Sequence, residues 1–176
     1  MEPERALPGA LIRPAADVEL PAVGELCVAA YSPFLAGDHL YVAELRDAAR
    51  RAELAELLVA VDGDRVLGTV TFVPRGGPLG EIARPDEAEF RMLAVDPAAR
   101  GRGVGTALLR HVLDGSRARG RAGVVCSSLP SMRAAHRMYE RLGFARAPER
   151  DWSPLDGVEL LAFSLRLDVP GDGRLK

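Results

Sequence analysis

The residues most open to chemistry lie between Val95 and Thr106. There Val95-Asp96-Pro97-Ala98-Ala99-Arg100-Gly101-Arg102-Gly103-Val104-Gly105-Thr106 reads as a strand end, a turn with alternating glycines and a helix start. Such a turn exposes backbone N–H groups. At a helix N-terminus these donors converge with the positive end of the macrodipole, so a phosphate or pyrophosphate can be held without a side-chain cage. Glycine at these places keeps Cβ atoms out of the anion's way, and Arg100 and Arg102 can add charge-assisted hydrogen bonds at the rim. Two other phosphate turns fail on the letters. A Walker-type loop needs a Lys after its last glycine, and none follows Gly105; the dinucleotide pattern G-x-G-x-x-G needs glycine where this chain has Thr106 or, one register on, Leu108. Composition by itself equally allows a glycine-rich strand-to-helix connection that holds no ligand. Arg110, Arg117, Arg119 and Arg121 read as a solvated helix face.

The elements that must position this turn follow from periodicity and turn chemistry. The chain has 176 residues, 48% hydrophobic and 27% charged, enough for one globular domain. A first strand is expected over Gly9 to Arg13. A helix from Val18 to Tyr31 follows, with Asp17 as N-cap and Pro21 tolerated in the first turn. A second helix spans His39 to Leu54, its inner face carrying Leu45, Ala49 and Ala52 and its charges facing water. Leu57 to Val61 and Val66 to Val73 form a hairpin around Asp62-Gly63-Asp64-Arg65. Pro74 to Pro85 is a Gly/Pro loop, Glu89 to Val95 a strand, and Gly103 to Arg119 a helix with the apolar stripe Val104, Ala107, Leu108 and Val112. Gly123 to Leu129 is a strand, Pro130 to Leu142 a helix closed by Gly143, and Phe144 to Ala147 and Val158 to Leu167 are strands joined by a loop holding Trp152. The order predicts an α/β fold, one central mixed sheet with helices on it, over residues 9–167, between a flexible leader at 1–8 and a polar tail at 168–176.

Composition narrows the partners. A net charge of -2 argues against a nucleic-acid-coating protein. No stretch approaches the apolar length of a membrane span, and no apolar run with a cleavage site opens the chain. Cys27 and Cys126 are far apart without metal-ligand spacing, so both are expected as buried thiols, no metal site is expected, and a reducing, cytoplasmic setting follows.

Arg100-x-x-Gly103-x-Gly105 at a helix start, after Met92-Leu93-Ala94-Val95-Asp96-Pro97, resembles the acyl-CoA motif of the GNAT superfamily of N-acetyltransferases. Ala135-His136-Arg137-Met138-Tyr139-Glu140-Arg141-Leu142-Gly143-Phe144 resembles the later helix of that superfamily, A-x-x-x-Y-x-x-x-G-F, at the expected distance downstream. The resemblance covers nearly the whole chain and implies a mostly antiparallel sheet. It also implies that Leu93, Ala94 and Val95 present backbone groups to the pantetheine arm of acetyl-CoA. Gly101, Arg102, Gly103, Val104, Gly105 and Thr106, with Arg100, would then hold its pyrophosphate. The thioester would lie near Met92 and Leu93, where backbone N–H donors can stabilise the developing oxyanion.

An alkylammonium has no lone pair, and an amine resembling Lys has a pKa of ~10.4, so a base helps. By period two Glu89, Arg91, Leu93 and Val95 share one face, which puts a carboxylate upstream of the thioester; Glu89 matches a position that is the general base in some members of the superfamily. The plainer alternative is a solvated carboxylate at a strand edge. Tyr139 matches the general acid that protonates the departing thiolate, against the alternative of a core tyrosine in line with Ala135 and Leu142. His136 reads as structural. Two positions depart from the superfamily pattern. Met132 stands where Asn usually contacts the cofactor, with Ser131 a candidate to cap the helix instead, and Ser127 stands where some members carry the base. That second departure leaves Asp86, Glu87 and Asp156 as other base candidates.

The expected function is transfer of an acetyl group from acetyl-CoA to a primary amine of a small molecule or peptide. A non-catalytic acyl-CoA sensor is the rival, and a hydroxyl acceptor or longer acyl chain stays open. The acceptor would meet the first two helices, the Pro74 to Pro85 loop and the Trp152 loop. Homodimers are common in the superfamily, but no self-complementary seam is legible here.

Overall fold

In a computed structural model the chain is described over residues 10–35 and 39–168. The expected leader at 1–8, the strand start at Gly9 and the tail beyond Asp168 lie outside the described residues.

Contacts group the chain into two compact units, one built from the chain up to Phe72 with Phe90–His111, the other from Val73–Glu89 with Val112 onward. The first unit opens on β1 (Leu11–Pro14), antiparallel to β2 (Glu56–Asp62), which returns as β3 (Arg65–Val73). The hairpin is the expected one. Its turn needs a left-handed residue, and Gly63 supplies it at φ 58°. Strand β2 is buried from Leu57 to Val61, so it reads as a continuous apolar run.

Helix α1 (Leu20–Tyr31) begins later than expected. Asp17 to Glu19 form a 3-10 turn, and the capping group is Glu19, whose carboxylate accepts from the Ala16 N–H at 2.8 Å and pairs with Arg13 at 2.7 and 2.9 Å. The longer Glu side chain reaches back to both groups, which displaces Asp17 from the predicted role. The single helix expected over His39 to Leu54 is broken at Asp47 into α2 (His39–Arg46) and α3 (Ala48–Leu54). Asp47 caps the second piece by accepting from the Arg50 N–H at 3.0 Å, a competition between side chain and backbone that Asp often wins. The break rotates the inner face. Leu45, Ala48 and Arg51 are buried, whereas Ala49 and Ala52 are exposed, so the expected stripe is corrected. Arg51 is also the exception to the expectation that the charges face water. Its guanidinium donates to the Glu44 and Leu45 carbonyls at 2.6 and 2.9 Å and lies 3.5 Å from the Cys27 thiol.

Strand β4 (Glu87–Val95) runs through both units. In the first unit its Met92 and Ala94 pack with Cys27, Ala30 and Leu45. Helix α4 (Val104–Ala118) starts in this unit and buries Val104, Leu108 and Leu109. Gly68 on β3 allows that approach, since a Cβ there would stand 2.7 Å from Val104 Cγ1 and 3.1 Å from Leu108 Cδ1.

In the second unit Glu87–Glu89 of β4 pair in parallel with Gly123–Val125 of β5 (Gly123–Ser128). Helix α5 (Arg133–Arg141) follows; then β6 (Ala145–Arg146), β7 (Trp152–Leu155) and β8 (Val158–Arg166) complete the sheet, β8 running antiparallel to β5, β6 and β7. The Trp152 loop is therefore partly a strand, turned by Gly157 at φ 81°. Ser131 does not cap α5 through its hydroxyl. Its carbonyl accepts from the Arg133 N–H at 2.9 Å, and the cap residue is Met132. At the other end Gly143, φ 100°, lets Phe144 N–H return to the Tyr139 carbonyl at 3.0 Å. The strand order is β1-β2-β3-β4-β5-β8-β6, with β7 on β8, an eight-stranded, mostly antiparallel sheet with helices on it, as expected.

Candidate active site

The glycine turn belongs to the first unit. Asp96 ends β4 by accepting from the Ala98 N–H at 2.9 Å and from Arg65 at 2.8 Å, and its N–H is tied to the Leu67 carbonyl. The Arg65 guanidinium, then the Ala98 amide, hold the Asp96 carboxyl below its ordinary range. Past that anchor the chain turns through Gly101 and Gly103 at φ 74° and 79°, both left-handed, and an added Cβ at either would meet nothing within 4 Å. The space in front of the turn is thus open. The turn leads into the 15-residue α4, whose first N–H groups helix geometry leaves without intrahelical acceptors. Arg100, Gly101 and Arg102 are exposed, Gly103 and Thr106 half-buried, and Val104 and Gly105 buried. Upstream, Leu93 and Val95 are half-buried and Ala94 is buried.

Met92 carries φ 50°, the sole non-glycine residue with positive φ among those described. Burial still alternates across it, with Arg91, Leu93 and Val95 half-buried together, whereas Glu89 upstream is fully buried. The sequence holds no sign of the positive φ, because Met has no preference for that conformation.

Glu89 lies in the second unit and is fully buried, which removes the alternative of a solvated strand edge. Its Oε2 accepts from three successive amides, Glu81, Ile82 and Ala83, at 2.9, 3.3 and 3.2 Å. The carboxylate thereby orders the end of the Gly/Pro loop. Glu87, one of the other base candidates, pairs with Arg150 at 2.7 and 3.0 Å and accepts from the Arg84 N–H. Burial works to raise its pKa, but Arg150 and the Arg84 amide prevail and hold it low.

Tyr139 is buried, its ring 5.4 Å from Phe163 and 6.0 Å from Phe144. Burial, with Cys126 adding to it, pushes the phenol well above its ordinary value, and a hydrogen bond with Ser128 pulls the other way. Cys126 is the neighbour common to both catalytic candidates, since burial and the charge of Glu89 raise its thiol pKa. Both cysteines are free and buried. Sequence reasoning missed Ser128, whose hydroxyl is buried beside Tyr139 and 3.0 Å from His136 Nε2. Its neighbour Ser127 accepts from Trp152 Nε1 at 3.0 Å. On the β7–β8 hairpin a cavity of about 350 Å³ is lined by Asp151, Trp152, Ser153, Gly157, Val158 and Glu159.

The glycine turn and the Glu89–Tyr139 pair thus fall in different units, joined in sequence by β4 and α4. Among the described residues no helix is long and apolar enough to cross a membrane, and no group of three or more His, Cys, Asp or Glu is placed to hold a metal.

A strand, a left-handed glycine turn and a long helix, with a buried tyrosine on a later helix, define an α/β fold with an open turn at a helix start. The chain belongs to the acetyltransferase (GNAT) family, which it matches over residues 23–144. Among curated proteins it is similar to N-acetyltransferase 8B of Homo sapiens, 30% identical over 120 residues, 66% of this chain and 52% of that protein. Among solved structures it resembles the ribosomal-protein-S18-alanine N-acetyltransferase of Escherichia coli (TM-score 0.70, 22% identity, 95% of this chain and 99% of that one). It also resembles yncA of Salmonella typhimurium, solved with its cofactor acetyl-CoA (TM-score 0.61, 23% identity, 91% and 95%). The chain spans 37%, 52% and 34% of three curated relatives, at most about half their length.

Proposed function

We propose that this chain is an acyl-CoA-dependent N-acyltransferase that moves acetyl from acetyl-CoA to a primary amine. The observation that carries the reading is the pair of left-handed glycines, Gly101 and Gly103, opening onto empty space at the N-terminus of α4 and alternating with the exposed Arg100 and Arg102. The turn and the first amides of α4 would take the pyrophosphate, with Arg100 and Arg102 at its rim. Leu93, Ala94 and Val95 would offer backbone groups to the pantetheine arm. When bound, acetyl-CoA supplies the activated thioester. Glu89 would accept the proton of the attacking amine, its carboxylate oriented by the 81–83 amides, and Tyr139 would give a proton to the departing sulfur. The phenol's raised pKa keeps it protonated until the thiolate departs.

The acceptor side is carried more coarsely. The curated relative named above is an N-acetyltransferase, which favours an amine, and the hairpin cavity with Trp152 and Glu159 suits the edge of a cationic molecule. Two free buried thiols fit a reducing, cytoplasmic setting.

The test is calorimetric titration with acetyl-CoA. Gly103→Asp puts a negative charge in the open space, and Asp is among the side chains that best tolerate φ near 79°. The variant is expected to stay folded by circular dichroism and to lose acetyl-CoA binding. Wild-type affinity in a folded variant would remove the anion site from the turn.

A further inference from the structure

Within the second unit a guanidinium reaches the Glu89 carboxylate through a single peptide group. Arg150 closes the 3-10 turn Pro148–Arg150, and its backbone is pinned to the sheet. Its N–H bonds to the Ala147 carbonyl at 2.9 Å, and the Ala147 N–H bonds to the Ala162 carbonyl of β8 at 2.9 Å. From that anchor the guanidinium, 11% exposed, donates to the two oxygens of Glu87 at 3.0 and 2.7 Å and to the Ile82 carbonyl. That carbonyl is one half of the Ile82–Ala83 peptide. The other half is the Ala83 N–H, which donates to Glu89 Oε2 at 3.2 Å. A trans peptide points its C=O and N–H in opposite directions, so guanidinium and carboxylate hold the same group from its two ends.

We propose that Arg150 is a positioning residue that sets the proton affinity of Glu89 through the Ile82–Ala83 peptide, with Glu87 holding Arg150 in place. The proposal rests on the reading of Glu89 as the base. A cation on the carbonyl makes the N–H of the same peptide a stronger donor, because hydrogen bonds in series polarise one another. A stronger donor favours the charged carboxylate. The same contact fixes the Ile82 carbonyl, and with it the direction from which the 81–83 amides meet Oε2. Charge acts in the same sense. Glu87 and Arg150 compensate one another, so removing the guanidinium withdraws a cation and exposes a second carboxylate two positions away on β4; both changes favour protonated Glu89. Removing the Glu87 charge leaves the guanidinium uncompensated and favours the carboxylate form. The two substitutions therefore act with opposite sign, which a staple that only held the loop would not produce. Cys126 on β5 also senses the charge of Glu89, and Glu149 lies beside Arg150; neither is altered in the variants below.

Titration of the Glu89 carboxyl carbon by NMR reads this affinity without any acyl transfer, on protein carrying isotope-labelled glutamate and with the resonance assigned by its absence in Glu89→Gln. In Arg150→Gln, which keeps an amide donor for the Ile82 carbonyl, the midpoint is expected to rise by about one pH unit, the lower end for loss of a nearby opposite charge. Arg150→Lys keeps the charge and one donor, and its midpoint should lie between the two. In Glu87→Gln, which keeps an acceptor for Arg150, the midpoint should fall. An unmoved midpoint in a folded Arg150→Gln, or shifts of the same sign in Arg150→Gln and Glu87→Gln, would overturn the proposal. If Arg150→Gln does not fold, Glu87→Gln decides alone, and any result but a lowered midpoint overturns it. The rate against pH tests the base reading separately, as acetyl-CoA thiol release with the faster acceptor of spermidine and an alanine-initiated peptide. Its rising limb should move with the NMR midpoint in Arg150→Gln, with the KM for acetyl-CoA unchanged. A midpoint that moves while the limb stays would end the base reading and leave the action of Arg150 on Glu89 standing.

Discussion

A single carboxylate shows how much a residue's chemistry depends on what surrounds it. Glu89 was legible as an acidic group before the glycine turn, but the three amides of residues 81–83 that grip its Oε2 were not, since they come from a loop without periodicity. Anchor and base make separable claims. Glu89→Gln keeps an oxygen for the amides, so it is expected to fold and melt near wild type while losing the rising limb of rate against pH, by ~10²-fold at its maximum if the carboxylate is the base. Glu89→Ala leaves three amides without their acceptor and should also melt well below wild type. Rates for Glu89→Gln equal to wild type from pH 6 to 9 would leave the residue an anchor only. Tyr139 carries two roles at once. Tyr139→Phe is expected to cost about 1 kcal/mol, the typical net value of its hydrogen bond with Ser128. Turnover should fall ~10²-fold with acetyl-CoA affinity unchanged, read from melting curves, steady-state rates and calorimetry on one preparation. Tyr139 was visible through motif spacing. Ser128 was not, because a serine in an apolar strand gives no signal until its partners on α5 are in place.

Among the elements, strong period and turn chemistry were read correctly. The β2–β3 hairpin and α4 appear where apolar alternation and the helical stripe put them. The misses share a cause, local hydrogen bonding that overrides a weak pattern. Asp47 breaks a run with good helix formers, and Glu19 takes the cap predicted for Asp17. The positive φ at Met92 is imposed by tertiary structure alone. Close packing of α4 on β3 is equally invisible in one dimension, because Gly68 looks like a weak point in a strand. It is a contact point. Gly68→Ala would press a methyl group against Val104 Cγ1, the Ala94 carbonyl and Leu108 Cδ1. The expected loss is about 1–3 kcal/mol by urea unfolding, together with weaker acetyl-CoA binding, since the displaced segment is the start of the helix that would hold the pyrophosphate. Stability equal to wild type would mean that the helix shifts without cost.

For the molecule as a whole, the sheet with its helices was legible because alternating elements leave few other solutions. The division into two compact units was not, since β4 and α4 each pass through both without a break in pattern. Acid stability is a property at this scale with a traceable source. The Arg13 guanidinium, then the Ala16 amide, hold Glu19 at a pKa of about 2 against an ordinary 4.5. A carboxylate depressed on folding stabilises fully above its unfolded value, and that contribution is lost as pH falls from about 4.5 towards 2. Arg13 is a third exposed, so solvent screening keeps that contribution small. Glu19→Gln is therefore expected to be less stable at pH 7 and to approach wild type near pH 2 in urea melts; parallel curves across that range would exclude the pair as a source of acid sensitivity. One contact has an optical consequence. The chain contains a single tryptophan, Trp152, and its indole nitrogen is bonded to Ser127 at the rim of the hairpin cavity. All indole fluorescence therefore originates at one known place. Acceptor candidates can be screened by emission shift and quenching on unlabelled protein, and a molecule that leaves the spectrum unchanged while being acetylated must approach by another route.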